Sequence, residues 1–178
     1  IIFKHSIPGM KKLLFATVSL VLSGFCFQTS GETTPISVSV LSNDAKFIGS
    51  SMGGVQIVIR DSLTGAILAS GRTSGSTGDT ARIMKSPRPR DHVLHSEGSA
   101  RFDAMLDLDR PTRVRVEATG PLAQMQGAST ITETWMLLPG KDYAKGNGLI
   151  LRMHGMVVDV LSPPAHLKTS GVEQIQVA

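Results

Sequence analysis

The chain contains 178 residues, with 18 Lys and Arg against 14 Asp and Glu, and its only cysteine is Cys26. Three of the bases and none of the acids precede Glu32, so 15 bases face 14 acids from that residue onward. This near balance argues against a general affinity for nucleic acid. Because Cys26 also precedes Glu32, the rest of the chain has no disulfide, no thiol nucleophile and no cysteine ligand for a metal.

A secretory leader is predicted near the N-terminus. Two lysines follow Met10 directly, and an apolar run over residues 13–27 comes after them. That run is shorter than the roughly 18 residues expected of a membrane span. We therefore expect residues 10–31 to be a signal peptide cleaved before Glu32 and residues 1–9 to be an upstream extension. The rest of the chain is then periplasmic or extracellular and has no membrane span.

Alternating apolar and polar residues dominate the sequence from residue 36 onward and predict half-buried strands. The pattern begins in ISVSVL at residues 36–41 and recurs in VQIVIRD, ARFDAMLDL and RVRVEA. The residues expected to face the core are Ile36, Val38, Val40, Val55, Ile57, Ile59, Phe102, Ala104, Leu106, Leu108, Val114 and Val116. Further strands are predicted at Thr130–Leu138 and Gly148–Leu161. Strands with one solvated face are typical of antiparallel sheets.

These strands predict a single all-β domain over residues 32–164, followed by a flexible tail at 165–178. The expected architecture is an antiparallel β-sandwich of the immunoglobulin or transthyretin type. The one helical piece expected is a short turn in PLAQMQG, with Pro121 at its first position. The segment PGKDYAKGNG has the composition of a loop, and its Asn147-Gly148 pair favours a tight turn.

The segment VQIVIRDSLTGAILASGRT, at Val55–Thr73, resembles the carboxypeptidase regulatory-like (transthyretin-like) β-sandwich modules. In this pattern Asp61 accepts backbone N–H groups in a turn between two strands, and Gly65 takes a positive φ. TRVRVEATGP at Thr112–Pro121 is similar to a later strand of the same modules. The resemblance implies a sandwich fold but no particular activity, since such folds host unrelated functions. The chain departs from the family at Ser74–Ser99, a segment that we call the insertion.

The entrance to the insertion, TSGSTGDTARIM at residues 73–84, has the small residues of a phosphate-binding loop. A Walker A loop needs Gly-Lys-Ser/Thr where a strand meets a helix, and no lysine follows Gly75 or Gly78 before Lys85. We expect no helix here whose N-terminus would receive a phosphate. The stretch is interpreted as a turn stabilised by side-chain-to-backbone hydrogen bonds.

Basic residues are concentrated within the insertion. Pro87 and Pro89 favour an extended and exposed path, and long irregular insertions in compact domains are often functional. We therefore predict a non-catalytic binding module that contacts a protein or an anionic polymer of the cell envelope. The predicted contact residues are Arg82, Lys85, Arg88 and Arg90. A solvated loop with no partner is the alternative.

Two other functions remain open. The first is a periplasmic copper or zinc site, because imidazole and thioether groups are ligands that these metals accept. Its candidate ligands are His92, His95, His154 and Met156, although a core role is ordinary for a methionine. The second is a hydrolase. The stretch Gly49-Ser-Ser-Met-Gly53 has the spacing of a Gly-x-Ser-x-Gly motif, but it is not expected to form the strand-to-helix elbow that presents a nucleophilic serine. No catalytic residue and no cofactor is therefore predicted.

Overall fold

The computed structural model describes residues 31–155 together with Val158, Val160, Ser162 and Gly171. The predicted upstream extension, almost all of the leader and, apart from Gly171, the predicted tail lie outside the described residues. Within the described ranges the chain forms seven strands in two sheets that share one core. The predicted all-β sandwich is confirmed. None of the helical turns in these ranges has the length and hydropathy of a membrane span.

Each sheet combines strands that are distant in the sequence. Sheet A contains β1 (Glu32–Ser42), β4 (Phe102–Leu108) and β7 (Leu149–Met153) in the order β4-β1-β7. Sheet B contains β2 (Gln56–Asp61), β3 (Ile67–Arg72), β5 (Thr112–Gly120) and β6 (Ser129–Leu137) in the order β3-β2-β5-β6. Four of the five strand pairs are antiparallel, but β1 and β7 are parallel, with Val38 opposite Leu149. The prediction of a purely antiparallel sandwich is wrong for this pair, because β7 enters sheet A from the same end as β1.

The main core lies between the two sheets and consists of the residues that alternation places inward. Of the predicted set, Phe102 and Ala104 are partly buried and all the others are buried. Met153, at the end of β7, is also buried in this core. Burying one aliphatic side chain of this size contributes about 1.5–3 kcal/mol, so the main core is the principal source of stability.

β1 is buried on both faces, which its alternating sequence does not predict. Ser39 and Leu41 point away from the main core, yet they are only 0% and 1% exposed. The insertion folds across this outer face of sheet A and creates a second apolar cluster, which we call the second core. It consists of Leu41, Phe47, Ile83, Leu94 and Ala100, with Ile150 packed at its border. The prediction that the insertion follows an exposed path is therefore correct only for the side that faces away from sheet A.

The turns follow local sequence rules with one exception. Asp61 Oδ1 accepts the N–H groups of Leu63 at 2.7 Å and Thr64 at 3.0 Å, and Gly65 has φ +76°. The predicted roles of Asp61 and Gly65 are thus confirmed. The exception is Pro121, which follows a cis peptide at the end of β5, while the 3₁₀ turn begins only at Met125.

Candidate functional site

The entrance and exit of the insertion lie side by side. Ser74 and Arg101 exchange two backbone hydrogen bonds of 3.1 Å. Ser76 lies beside Ser99, donates its N–H to the carbonyl of Gly98 at 2.7 Å and accepts the N–H of Ala100 at 2.8 Å. Just before this point, the buried Thr73 Oγ1 accepts the N–H of Val55 at 2.9 Å. The insertion is therefore a closed loop with a hydrogen-bonded base, and such loops pack through their own side chains.

The two glycines of TSGSTGDT serve this base. Gly75 has φ +131°, and a Cβ there would lie 2.6 Å from the carbonyl oxygen of Gly98. Gly78 has φ +82°, and its Cβ would approach the Ile83 side chain to 2.7 Å. Both positions require glycine because the backbone is left-handed and the space is filled. The interpretation of this stretch as a structural turn is consistent with these contacts.

No helix is predicted after this turn, whereas the structure has a single π-helical turn at Ala81–Lys85. Asp79 starts it: Oδ1 accepts the N–H of Arg82 at 2.6 Å, and the Asp79 carbonyl accepts the N–H of Ile83 at 3.0 Å. Two features of the local sequence favour this turn. Asp79 caps its first N–H groups, and Ile83 supplies an apolar side chain to the second core. The Asp79 carboxylate already accepts the N–H of Arg82, and its negative charge at the start of this single turn disfavours a phosphate there.

Two apolar side chains and one amide hold the insertion against sheet A and the loop that precedes β7. Ile83 and Leu94 are 0% and 7% exposed in the second core. Asn147 adds a clamp, since its Oδ1 accepts the N–H of Leu94 and its Nδ2 donates to the carbonyl of His92, each at 2.7 Å. The local sequence predicts only a tight turn at Asn147. Its amide was missed because nothing in the local sequence shows which distant backbone it faces.

All four predicted contact residues are exposed, but they differ in their bonding. Arg82 Nη1 donates to the carbonyl of His95 at 2.8 Å, and Arg88 Nη2 donates to the carbonyl of Ile83. Lys85 and Arg90 have no hydrogen bond or ion pair within the described part of the chain. Two of the four cations thus support the loop, and two are free to meet a partner.

A cleft of about 650 Å³ opens beside these residues. Its lining includes Arg82 and His92, but also the carboxylates of Asp79 and Asp91. An anion inside the cleft would meet both signs of charge. Favourable contact with an anionic partner is therefore expected on the outer rim, where Lys85 and Arg90 lie exposed.

The candidate metal ligands are not brought together. His92 Nε2 lies 3.2 Å from the carbonyl of Arg82, and His95 is packed in the second core. His154 lies at the end of β7 beside a different cleft, of about 550 Å³. Met156 lies outside the described residues. Across the described ranges no group of three or more His, Cys, Asp and Glu residues is placed to hold a metal ion.

The structure does bring one serine and one histidine together, and the sequence analysis did not identify this pair. Ser39 Oγ lies 2.7 Å from His95 Nε2, the contact that a nucleophile and its base require. However, Ser39 is 0% exposed and its hydroxyl donates to the carbonyl of Ala100 at 3.0 Å. Within the described part of the chain His95 Nδ1 is buried without a hydrogen-bond partner, so no acid found there orients the ring. This geometry is that of a buried link between β1 and the insertion.

His95 is held tightly in that link. Its ring stacks on Phe47, with the centroids 4.5 Å apart and the planes at 13°. Burial lowers the pKa of His95 below its ordinary value, the positive charge of Arg101 acts in the same direction, and Asp103 opposes both. The imidazole is therefore held in its neutral form near pH 7.

The outer face of sheet B is a second basic surface. Arg60 lies opposite Arg115 in the register, and both pair with the carboxylate of Glu117, at 3.6 Å and 3.0 Å. Arg72 and Arg113 lie on the same face, are exposed, and have no ion pair among the described residues. The signal in the sequence is the alternation of RVRVEA, whose outward positions begin with two arginines.

The chain matches no family model, no curated protein and no solved structure in the comparisons made with it.

Proposed function

We propose that this chain is a secreted or periplasmic β-sandwich module that binds a partner and does not catalyse a reaction. The partner is an acidic protein or an anionic polymer of the cell envelope, and it contacts the outer side of the insertion. The observation that carries this proposal is the second core, which gives an irregular loop a fixed support. A preorganised surface loses less conformational entropy on binding than a free loop does.

The charge pattern of the insertion supports an anionic partner. Residues 82–90 contain four bases and no acid, and all four side chains are exposed. Of these four, Lys85 and Arg90 are the ones whose side chains make no hydrogen bond or ion pair with the residues that the structure describes. Arg82 and Arg88 each use one guanidinium nitrogen for the loop and keep further N–H donors for a ligand. Contacts of this kind raise the association rate and weaken as the salt concentration rises.

The buried serine–histidine pair supports a role without catalysis. A substrate carbonyl must reach the serine oxygen, and Ser39 has no exposed surface. Its hydroxyl hydrogen is already donated to Ala100.

The proposal predicts that charge reversal at the two free cations weakens binding. We expect the double variant Lys85→Glu/Arg90→Glu to bind an envelope fraction or a purified anionic polymer about three- to tenfold more weakly. The salt dependence of binding should also decrease, because two charged contacts are lost. Arg82 and Arg88 are left unchanged since their substitution would also remove support from the loop.

The matched control is Arg72→Glu/Arg113→Glu on sheet B, which makes the same change in net charge at two exposed, unpaired arginines. Binding by this control should stay close to that of the unmodified protein. If the sheet B variant loses as much affinity as the insertion variant, or more, the contact surface is wrongly assigned. Circular dichroism of both variants verifies that the sandwich is intact.

A further inference from the structure

We propose that protonation of His95 controls the docking of the insertion on sheet A, so that the insertion is released as the pH falls. The proposal goes beyond the binding function and does not depend on any partner. His95 is the one titratable side chain packed into the second core as the structure describes it. It also connects the insertion to β1 through Ser39.

The hydrogen bonds define which nitrogen carries the proton. The hydroxyl of Ser39 donates to the carbonyl of Ala100, so the Ser39 oxygen accepts from His95 Nε2–H. Nδ1 is then the unprotonated nitrogen, and it is buried without a hydrogen-bond partner. A second proton on this ring would place an N–H and a positive charge at Nδ1, where none of the residues that the structure describes provides an acceptor. Burying an unsatisfied charged donor is strongly unfavourable.

The surrounding charges do not compensate for an imidazolium. β1 contributes only uncharged residues to this face. Arg101 opposes a positive charge on His95, and Asp103, which favours one, already pairs with Arg101 at 3.1 Å. The acids of the insertion itself, Asp79, Asp91 and Glu97, are exposed to solvent. Lys46 donates to Thr80, and Arg82 donates to the His95 carbonyl. The environment therefore favours the neutral ring.

The direction of the pH effect follows from this preference. Burial lowers the pKa of His95 in the docked state, while the released side chain returns to its ordinary pKa of about 6.5. Docking is thus fully stable above about pH 6.5 and loses stability as the pH falls below that value. At pH 5.5, one unit lower, the released state gains up to about tenfold in population relative to the docked state.

Hydrogen exchange on the full chain tests this proposal. Amide protection in peptides spanning residues 83–100 is measured at pH 7.5 and pH 5.5 and corrected for the intrinsic exchange rate. We expect the protection of these peptides to fall about five- to tenfold at the lower pH, while peptides from β5 keep theirs. Equal protection of the insertion at both values would overturn the proposal.

Two variants separate His95 from other titrating groups. His95→Phe retains a ring that stacks on Phe47 but does not titrate, so protection of its insertion should be the same at both pH values. His92→Gln lies in the same insertion and should keep the pH response of the unmodified protein. A pH response that survives in His95→Phe would contradict the mechanism.

A spectroscopic measurement on the unmodified protein covers the case in which His95→Phe does not fold. The ring ¹⁵N and ¹³C resonances of His95 should show the Nε2–H tautomer at neutral pH and a titration midpoint below that of an ordinary histidine. The Nδ1–H tautomer, or an ordinary midpoint, would refute the proposed switch.

Discussion

At the scale of single residues, Thr73 connects three segments through one buried hydroxyl. Its Oγ1 accepts the N–H of Val55 at 2.9 Å and donates to the carbonyl of Ile48 at 3.2 Å. The side chain is 1% exposed, so water does not replace either partner. Thr73, the first residue of the stretch that resembles a phosphate-binding loop, thus has a structural role in the sandwich.

Replacing Thr73 by valine should destabilise the protein by about 1–3 kcal/mol, because the Val55 N–H is left buried without an acceptor. Urea denaturation followed by circular dichroism measures this free energy of unfolding. The control is Thr73→Ser, which keeps the hydroxyl and should lose less stability than Thr73→Val. A valine variant as stable as the unmodified protein would show that the hydroxyl is not needed.

The role of a single residue was predictable from the sequence only where its hydrogen-bond partners are close to it in the chain. Asp61 and Gly65 were predictable because the bonds that they make are with neighbours in the same turn. Ser39, His95 and Asn147 were not, because their partners lie more than 50 residues away in the chain. A side chain whose role depends on a distant backbone group leaves no periodic signal in its own neighbourhood.

At the scale of elements, the β2–β3 turn depends on the ionised form of Asp61. The N–H groups of Thr64 and Leu63 lower the pKa of this carboxyl, and Arg110 adds to the effect. Because the folded pKa is depressed, the stabilisation is present above the ordinary pKa of an aspartate. It is lost as the pH falls through the folded pKa.

We therefore expect Asp61→Ala to lower the melting temperature at pH 7, and this difference from the unmodified protein should shrink below about pH 4. Asp61→Asn is the control, since an amide oxygen still accepts the two N–H bonds but does not titrate in this range. Thermal melts of the three proteins between pH 7 and pH 3 give the comparison. A difference between Asp61→Ala and the unmodified protein that is independent of pH would contradict this assignment.

The alternation of apolar and polar residues correctly predicted which residues of β2, β4 and β5 face the main core. It did not predict that the outer face of β1 is also buried. Ser39 looked like a solvent-facing residue because serine is polar. In the structure its small side chain lets the insertion approach the strand, and its hydroxyl is satisfied by Ala100. That face of β1 is buried by the insertion, which lies far away in the sequence. The alternating pattern of β1 itself therefore gives no sign of this burial.

At the scale of the whole molecule, two cores lie on opposite faces of sheet A. The main core includes residues of both sheets, whereas the second core holds only the insertion and its neighbours against β1 and β7. Regions with fewer buried contacts open locally before the domain unfolds. The insertion is therefore expected to open as a separate unit.

A matched pair of substitutions, one in each core, tests this separation. Ile83→Ala and Ile57→Ala remove the same atoms from side chains that are both 0% exposed. We expect Ile57→Ala to lower the global free energy of unfolding by about 2–5 kcal/mol, as seen in the fluorescence of Trp135. Ile83→Ala should leave that transition nearly unchanged but make the chain much more sensitive to trypsin at Lys85. Equal shifts of the Trp135 transition would mean that both cores unfold together.

The parallel pairing of β1 with β7 sets the order in which the fold is completed. Sheet B contains two local hairpins, β2–β3 and β5–β6, which form from neighbouring segments. Sheet A needs its first strand to meet its last, with Val38 opposite Leu149, so it closes only when nearly the whole described chain has been synthesised. Pairings at such sequence separation form slowly. Until β7 arrives, the edge of β1 that will pair with it stays open, although its other edge is able to pair with β4.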